Sequence, residues 1–98
     1  MRESDFQKNL IKELNDIFPG CLILKNDSGY IQGIPDLTIF YKDKWAMLEC
    51  KNSRTAKKQN NQNYYVNKAD SMSFARFIFP ENKKEVIDEL KSALGVER

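Results

Sequence analysis

The chain has 98 residues, 41% hydrophobic and 31% charged, which suits one compact domain (residues 1–98) with a single core. It holds no histidine, and its two cysteines, Cys21 and Cys50, lack CxxC spacing, so histidine-based acid–base catalysis, a disulfide framework and a zinc site are all excluded. No run approaches the roughly 20 apolar residues that span a bilayer, and "MRESDFQKNL" lacks the apolar core of a signal peptide; the expectation is an intracellular protein without membrane association. Any bound metal must be held by oxygen, which favours magnesium or manganese.

Net charge is +2, unevenly placed. Residues 1–50 carry six Lys/Arg against eight Asp/Glu, whereas residues 51–80 carry six Lys/Arg against Asp70 alone. A basic segment of this kind is either a solvated surface or the electrostatic footprint of a nucleic acid.

In chain order, "SDFQKNLIKELNDIF" predicts an amphipathic helix, with Phe6, Leu10, Ile11, Leu14, Ile17 and Phe18 on one face. Ser4 and Gln7 have the spacing of a capping box, and Pro19-Gly20 stops the helix. "CLILK" reads as a short buried strand and "NDSGYIQGIP" as a loop. "DLTIFY" and "KWAMLECK" read as two strands of a hairpin joined through Lys42-Asp43-Lys44. "TAKKQNNQNYYVNKA" predicts a polar helix with a thin apolar face, and "SFARFIF" another strand, ended by Pro80. Asn82 and Glu85 mark a helix start ahead of the stripe Val86, Ile87, Leu90, Ala93 and Leu94. The order α-β-β-β-α-β-α implies an α/β fold, a mixed sheet flanked by helices. Trp45, Phe74, Phe77 and Phe79 are expected to anchor the core, and Cys21 and Cys50 to be small core residues.

The hairpin carries charge where buried strands are normally apolar. Alternation puts Glu49 and Lys51 on one face and Cys50 on the other. Asp36 opens one strand and Glu49 nearly closes its antiparallel partner, so the two carboxylates fall at the same end. Two ionised carboxylates that close repel unless a cation lies between them. Asp36, Glu49 and the Cys50 backbone carbonyl thus form a candidate site for a hard divalent ion, with Lys51 as a further positive charge. The set suits phosphodiester hydrolysis, in which a metal activates water and neutralises phosphate charge.

Further candidates surround it. Glu3 projects onto the apolar face of the first helix, if the helix extends that far, and Glu13 onto that face's edge. Gln62 forms an i, i+4, i+7 line with Val66 and Ala69 and should face inward, where an amide can orient Lys51 or a phosphate. Arg54, Lys57, Lys58 and Lys68 are candidate nucleic-acid contacts, against the plainer reading of a solubilising surface. Tyr64 and Tyr65 offer either base stacking or packing. Alone, Asp36 would fit a turn and Glu49 with Lys51 a surface ion pair; the three together, with the element order, favour a metal site.

Pro35-Asp36 followed by Glu49-Cys50-Lys51 resembles the signature of PD-(D/E)xK nucleases, and the element order resembles that family's core. "RESDFQKNLIKEL", "NDSGYIQGIPDL", "LECK" and "QNNQNYYV" are similar, more narrowly, to VRR-NUC (virus-type replication-repair nuclease) domains, which are related in arrangement to Holliday-junction resolvases. The resemblance spans Glu3 to about Phe79. It implies a restriction-endonuclease-like fold, Asp36 and Glu49 as ligands of Mg²⁺ (with Mn²⁺ able to substitute), Lys51 as catalytic lysine, Glu3 as the helix-borne acid and Gln62 as the helix glutamine. It further implies a homodimeric, often phage-encoded endonuclease acting on branched DNA, with no nucleotide cofactor. The alternative is a non-catalytic nucleic-acid-binding or assembly module on the same fold, which the intact Asp36, Glu49 and Lys51 argue against; an RNase or a nickase would use the same chemistry.

Overall fold

In the computed structural model, which describes residues 1–96, the elements follow the expected order: α1 (Glu3–Ile17), β1 (Leu22–Lys25), β2 (Leu37–Tyr41), β3 (Lys44–Cys50), α2 (Asn60–Met72), β4 (Ala75–Ile78) and α3 (Lys83–Leu94). The four strands form one mixed sheet in the order β1-β2-β3-β4. β1, β2 and β3 are antiparallel neighbours, and β4 lies parallel to β3 after the α2 crossover. This is an α/β domain, and among its described residues no helix is long and apolar enough to cross a membrane.

Side-chain alternation divides the sheet into two unlike faces. Leu37 and Ile39 of β2 and Ala46, Leu48 and Cys50 of β3 point to the side covered by α1 and α3. There they meet Phe6, Leu10 and Leu14 of α1 and Val86, Ile87, Leu90 and Leu94 of α3, in one continuous apolar core. The i, i+4, i+8 spacing in α1 brings its three buried side chains onto one stripe. Lys83 on α3 binds the Glu13 carboxylate at 2.6 Å, so Glu13 ties the two helices together. The opposite face meets α2 through a smaller cluster, in which Val66 and Ala69 pack on Ala75 with Trp45, Met47 and Phe77 at its edge.

Several local expectations change. The first helix begins at Glu3 with Arg2 as its cap and no side-chain capping bond, so the Ser4–Gln7 box does not form. The hairpin turn is Lys42-Asp43 alone, because Lys44 already pairs with Tyr41; Lys42 takes the left-handed conformation, φ 58°, that so short a turn demands. The second helix starts at Asn60 rather than Thr55, leaving Arg54, Lys57 and Lys58 in a connecting loop. β1 is mostly exposed instead of buried: Leu22 and Leu24 lie on the α2 side, and α2 covers β3 and β4 but not this edge. Trp45 and Phe77 are only half-buried, at the edge of the small cluster that Val66 and Ala69 form with Ala75. Asn82 does mark the start of α3, as the sequence predicts, and occupies its N-cap position, but its side chain makes no capping bond. It accepts from the Phe79 amide at 2.8 Å and donates to the Phe77 carbonyl at 3.1 Å, bracing the chain where β4 ends.

Candidate functional site

The β2–β3 register sets the site. Leu37 pairs with Leu48, so Asp36 and Glu49 stand opposite each other one step beyond. The Asp36 amide donates to Glu49 Oε1 at 3.1 Å, and the Cys50 amide donates to Asp36 Oδ2 at 2.9 Å. The amide and carbonyl of a strand residue leave the backbone on the same side. The Cys50 carbonyl therefore also turns toward Asp36, while its thiol is buried on the far face, where burial pushes its pKa well above the ordinary thiol range.

Glu49 is 2% and Lys51 6% exposed, rare burial for such residues unless they are paired. Their direct contact is loose, with Lys51 Nζ 3.9 Å from Glu49 Oε2. Gln62 closes the gap: its Oε1 accepts from Lys51 Nζ at 2.8 Å, and its Nε2 donates to Glu49 Oε2 at 3.0 Å. The same Oε1 accepts from the Gln59 amide at 3.0 Å in a capping-box arrangement, so starting α2 and orienting the charged pair are one structural event.

The electrostatics are strained toward excess negative charge. Burial, then the neighbouring Asp36 carboxylate, push Glu49 up to about 8, against the opposing pull of Lys51 and the Asp36 amide. Burial also raises Asp36 above the ordinary carboxylate range, although the Cys50 amide and Lys51 act the other way. Such a pair holds a proton at neutral pH or accommodates a cation. Hard oxygen donors suit Mg²⁺ or Mn²⁺.

The other expected site residues are placed unequally. Glu3 is exposed in the first turn of α1; its charge adds to the upward push on Glu49. It does not complete a side-chain cluster around one ion: among the described residues, no three His, Cys, Asp or Glu side chains gather closely enough to hold a metal. The carboxylates that the β2–β3 register brings together are Asp36 and Glu49. Arg54, Lys57, Lys58 and Lys68 are all exposed. Lys58 lies over Phe77 at 4.9 Å from the ring centre, and Lys68 beside Tyr64 at 5.9 Å. Tyr64 is exposed, whereas Tyr65 is half-buried, edge-on to it.

Asn26 was missed by sequence reasoning. Its amide donates to the Asp36 carbonyl at 2.8 Å, and its side-chain Nδ2 donates to the Pro35 carbonyl at 2.9 Å and to Thr38 Oγ1 at 2.8 Å. It clamps the chain on both sides of Asp36. An asparagine opening a loop signals only a turn, and nothing local in the sequence shows that its partners lie about ten residues on. Gln59 was missed because glutamine is not among the favoured capping residues.

Compared with protein-family models, with curated proteins and with solved structures, the chain matches none. The functional reading therefore rests on the chemistry of the site.

Proposed function

We propose that the protein is a metal-dependent DNA endonuclease of the PD-(D/E)xK type, with a VRR-NUC-like arrangement, that hydrolyses phosphodiester bonds in branched DNA. The observation that carries this reading is the convergence of Asp36, Glu49 and Lys51 at one sheet end, with Gln62 bridging Lys51 and Glu49 and the Asp36 amide bonded to Glu49. A structural ion pair would bring Lys51 and Glu49 into direct contact and would not set a second carboxylate beside them.

Asp36, Glu49 and the Cys50 carbonyl would hold Mg²⁺, or Mn²⁺ in its place. When bound, the ion supplies charge neutralisation at the phosphate and lowers the pKa of water. Lys51 presents a buried, fixed ammonium to the reacting phosphate and stabilises the negative charge that grows on its oxygens. Gln62 keeps that ammonium and the Glu49 carboxylate at a set separation. The Asp36 amide bond to Glu49 and the Cys50 amide bond to Asp36 lock both carboxylates before any ligand arrives, so little reorganisation accompanies binding. Arg54, Lys57, Lys58 and Lys68 would contact the phosphate backbone and Tyr64 a base, with a salt-dependent affinity as their signature.

Cutting two strands at a branch calls for two such sites, and a homodimer supplies them. The exposed apolar residues of the uncovered sheet edge, Leu22, Leu24 and Phe40, are the surface we assign to pairing.

The test is cleavage of end-labelled four-way junction, fork, single strand and linear duplex in Mg²⁺, Mn²⁺ or EDTA. Paired metal-dependent cuts in the junction, absent for Lys51→Ala, are expected. Cuts confined to forks or linear DNA would keep the nuclease and remove the junction specificity. Binding without cleavage, equal in EDTA, would replace the enzyme with a binding module.

A further inference from the structure

Beside the carboxylate pair lies a cavity of about 380 Å³, lined by Ser28 and Gln32 from the β1–β2 loop and by Gln59, Asn60, Asn61 and Gln62 from the start of α2. Its size falls within the roughly 300–1,000 Å³ of small-ligand sites. Its chemistry differs from that of its neighbour: the lining offers carboxamides and a hydroxyl, with no carboxylate, ammonium or guanidinium. Gln32, Asn60 and Asn61 are exposed, so their amides are open to an incoming ligand.

The loop and the helix that line the cavity meet closely at Gly33. Gly33 has φ +92°, and a Cβ on it would fall 2.4 Å from Asn61 Cβ and 2.7 Å from the Asn61 carbonyl carbon. Only glycine lets the loop lie this close to the helix. Gln62 belongs both to the cavity wall and to the charged site, where it holds Lys51 and Glu49. A ligand in the cavity therefore sits at the edge of the cleavage site.

The lining narrows the ligand class. A phosphate would be met by Arg or Lys, and here Arg54, Lys57 and Lys58 lie outside the lining, on the preceding loop. A carboxamide presents a donor and an acceptor in one plane, the pattern that pairs with a nucleobase edge, as Asn and Gln do with adenine. A base stacked in a duplex cannot enter a cavity; it must be unpaired or turned out of the helix.

We propose that this cavity is a base-binding subsite that receives the nucleobase of one unpaired DNA nucleotide adjoining the phosphodiester to be cut. The proposal rests on the nuclease reading of the neighbouring site and gives it a basis for selecting branched over linear DNA. At a branch point stacking is interrupted and single-stranded bases adjoin the duplex, so turning a base out costs less there than within a continuous duplex.

The test reads binding in EDTA, without cleavage. Forked oligonucleotides carrying one abasic site, moved nucleotide by nucleotide through the branch, are titrated with the wild-type chain and with the double variant Gln32→Ala, Asn60→Ala. Both positions are exposed, so the variant should melt like the wild type. One abasic position is expected to weaken wild-type binding about tenfold. The double variant should lose a similar factor on the intact fork and lose nothing more at that abasic position, while linear duplex binds both proteins equally. Abasic effects that are absent or equal at every position, a variant that binds the intact fork as well as the wild type, or no fork binding at all would overturn the subsite. Cleavage with no position-specific abasic effect would remove the subsite and leave the nuclease; the expected pattern from a chain that cuts nothing would do the reverse.

Discussion

On β3, Ala46, Leu48 and Cys50 enter the α1/α3 core, each 0% exposed, while Trp45, Met47 and Glu49, with Lys51 just past the strand end, alternate onto the α2 side, where apolar packing gives way within two residues to buried charge. One seven-residue strand thus serves two purposes by parity alone. The apolar face needs only volume and hydrophobicity, and its clusters interlock across five elements. The α2 face carries a thin apolar cluster and then a polar set whose members each depend on a particular partner: Glu49 on the Asp36 amide and Gln62, Lys51 on Gln62, Asp36 on the Cys50 amide. The difference teaches where stability and chemistry can be separated by substitution.

The sharpest way to test the division is to damage each face in turn. Leu48→Ala, on the core side, should cost about 2–5 kcal/mol in urea unfolding, with the cleavage rate of the folded fraction little changed. Lys51→Ala, three residues away, should slow metal-dependent cleavage about 10²–10³-fold while unfolding stays cooperative. If Leu48→Ala also abolished turnover in the folded fraction, the two faces would not be separable.

Gly33→Ala probes the joint between the loop and α2. It forces a Cβ into Asn61 at a left-handed backbone position, and should cost about 1–3 kcal/mol together with activity. Gln62→Ala leaves the core intact but frees Lys51 and Glu49 from each other; cleavage should fall about 10–100-fold, with a smaller stability loss of about 1 kcal/mol.

A separate prediction concerns pH dependence. In the metal-free folded state Glu49 keeps its proton up to about pH 8, whereas the unfolded chain releases it near 4.5. Between those values the folded state binds more protons, so its stability falls as pH rises, and the contribution is complete only below 4.5. Unfolding midpoints across that window in EDTA should decline for the wild type and flatten for Glu49→Gln, and Mg²⁺ should restore the wild type at the alkaline end. A wild-type midpoint that rises through the window would contradict the burial argument.

Much of this site was legible in the sequence because it follows from strand arithmetic. Asp36 and Glu49 meet since a short turn fixes the hairpin register, and Glu49 and Lys51 share a face since strands alternate. Gln62 was legible from its i, i+4, i+7 relation to Val66 and Ala69, both buried as expected. What escaped depends on the path of irregular chain. The grip of Asn26 on Pro35, Asp36 and Thr38 exists only because the loop returns its end to β2. Helix starts were misplaced, Ser4 for Arg2 and Thr55 for Asn60, because caps differ by about 1 kcal/mol and tertiary contacts decide among them. The exposure of β1 was illegible because apolar residues mark a strand but not whether a helix reaches it.

The most direct test of the central claim, that Asp36 and Glu49 form a cation site, is calorimetric titration with Mn²⁺ near pH 8 of the wild type, Asp36→Asn and Glu49→Gln, without DNA. The account predicts saturable binding by the wild type, accompanied by proton release, and its loss in both variants. Equal uptake by all three proteins, or none by the wild type, would contradict it.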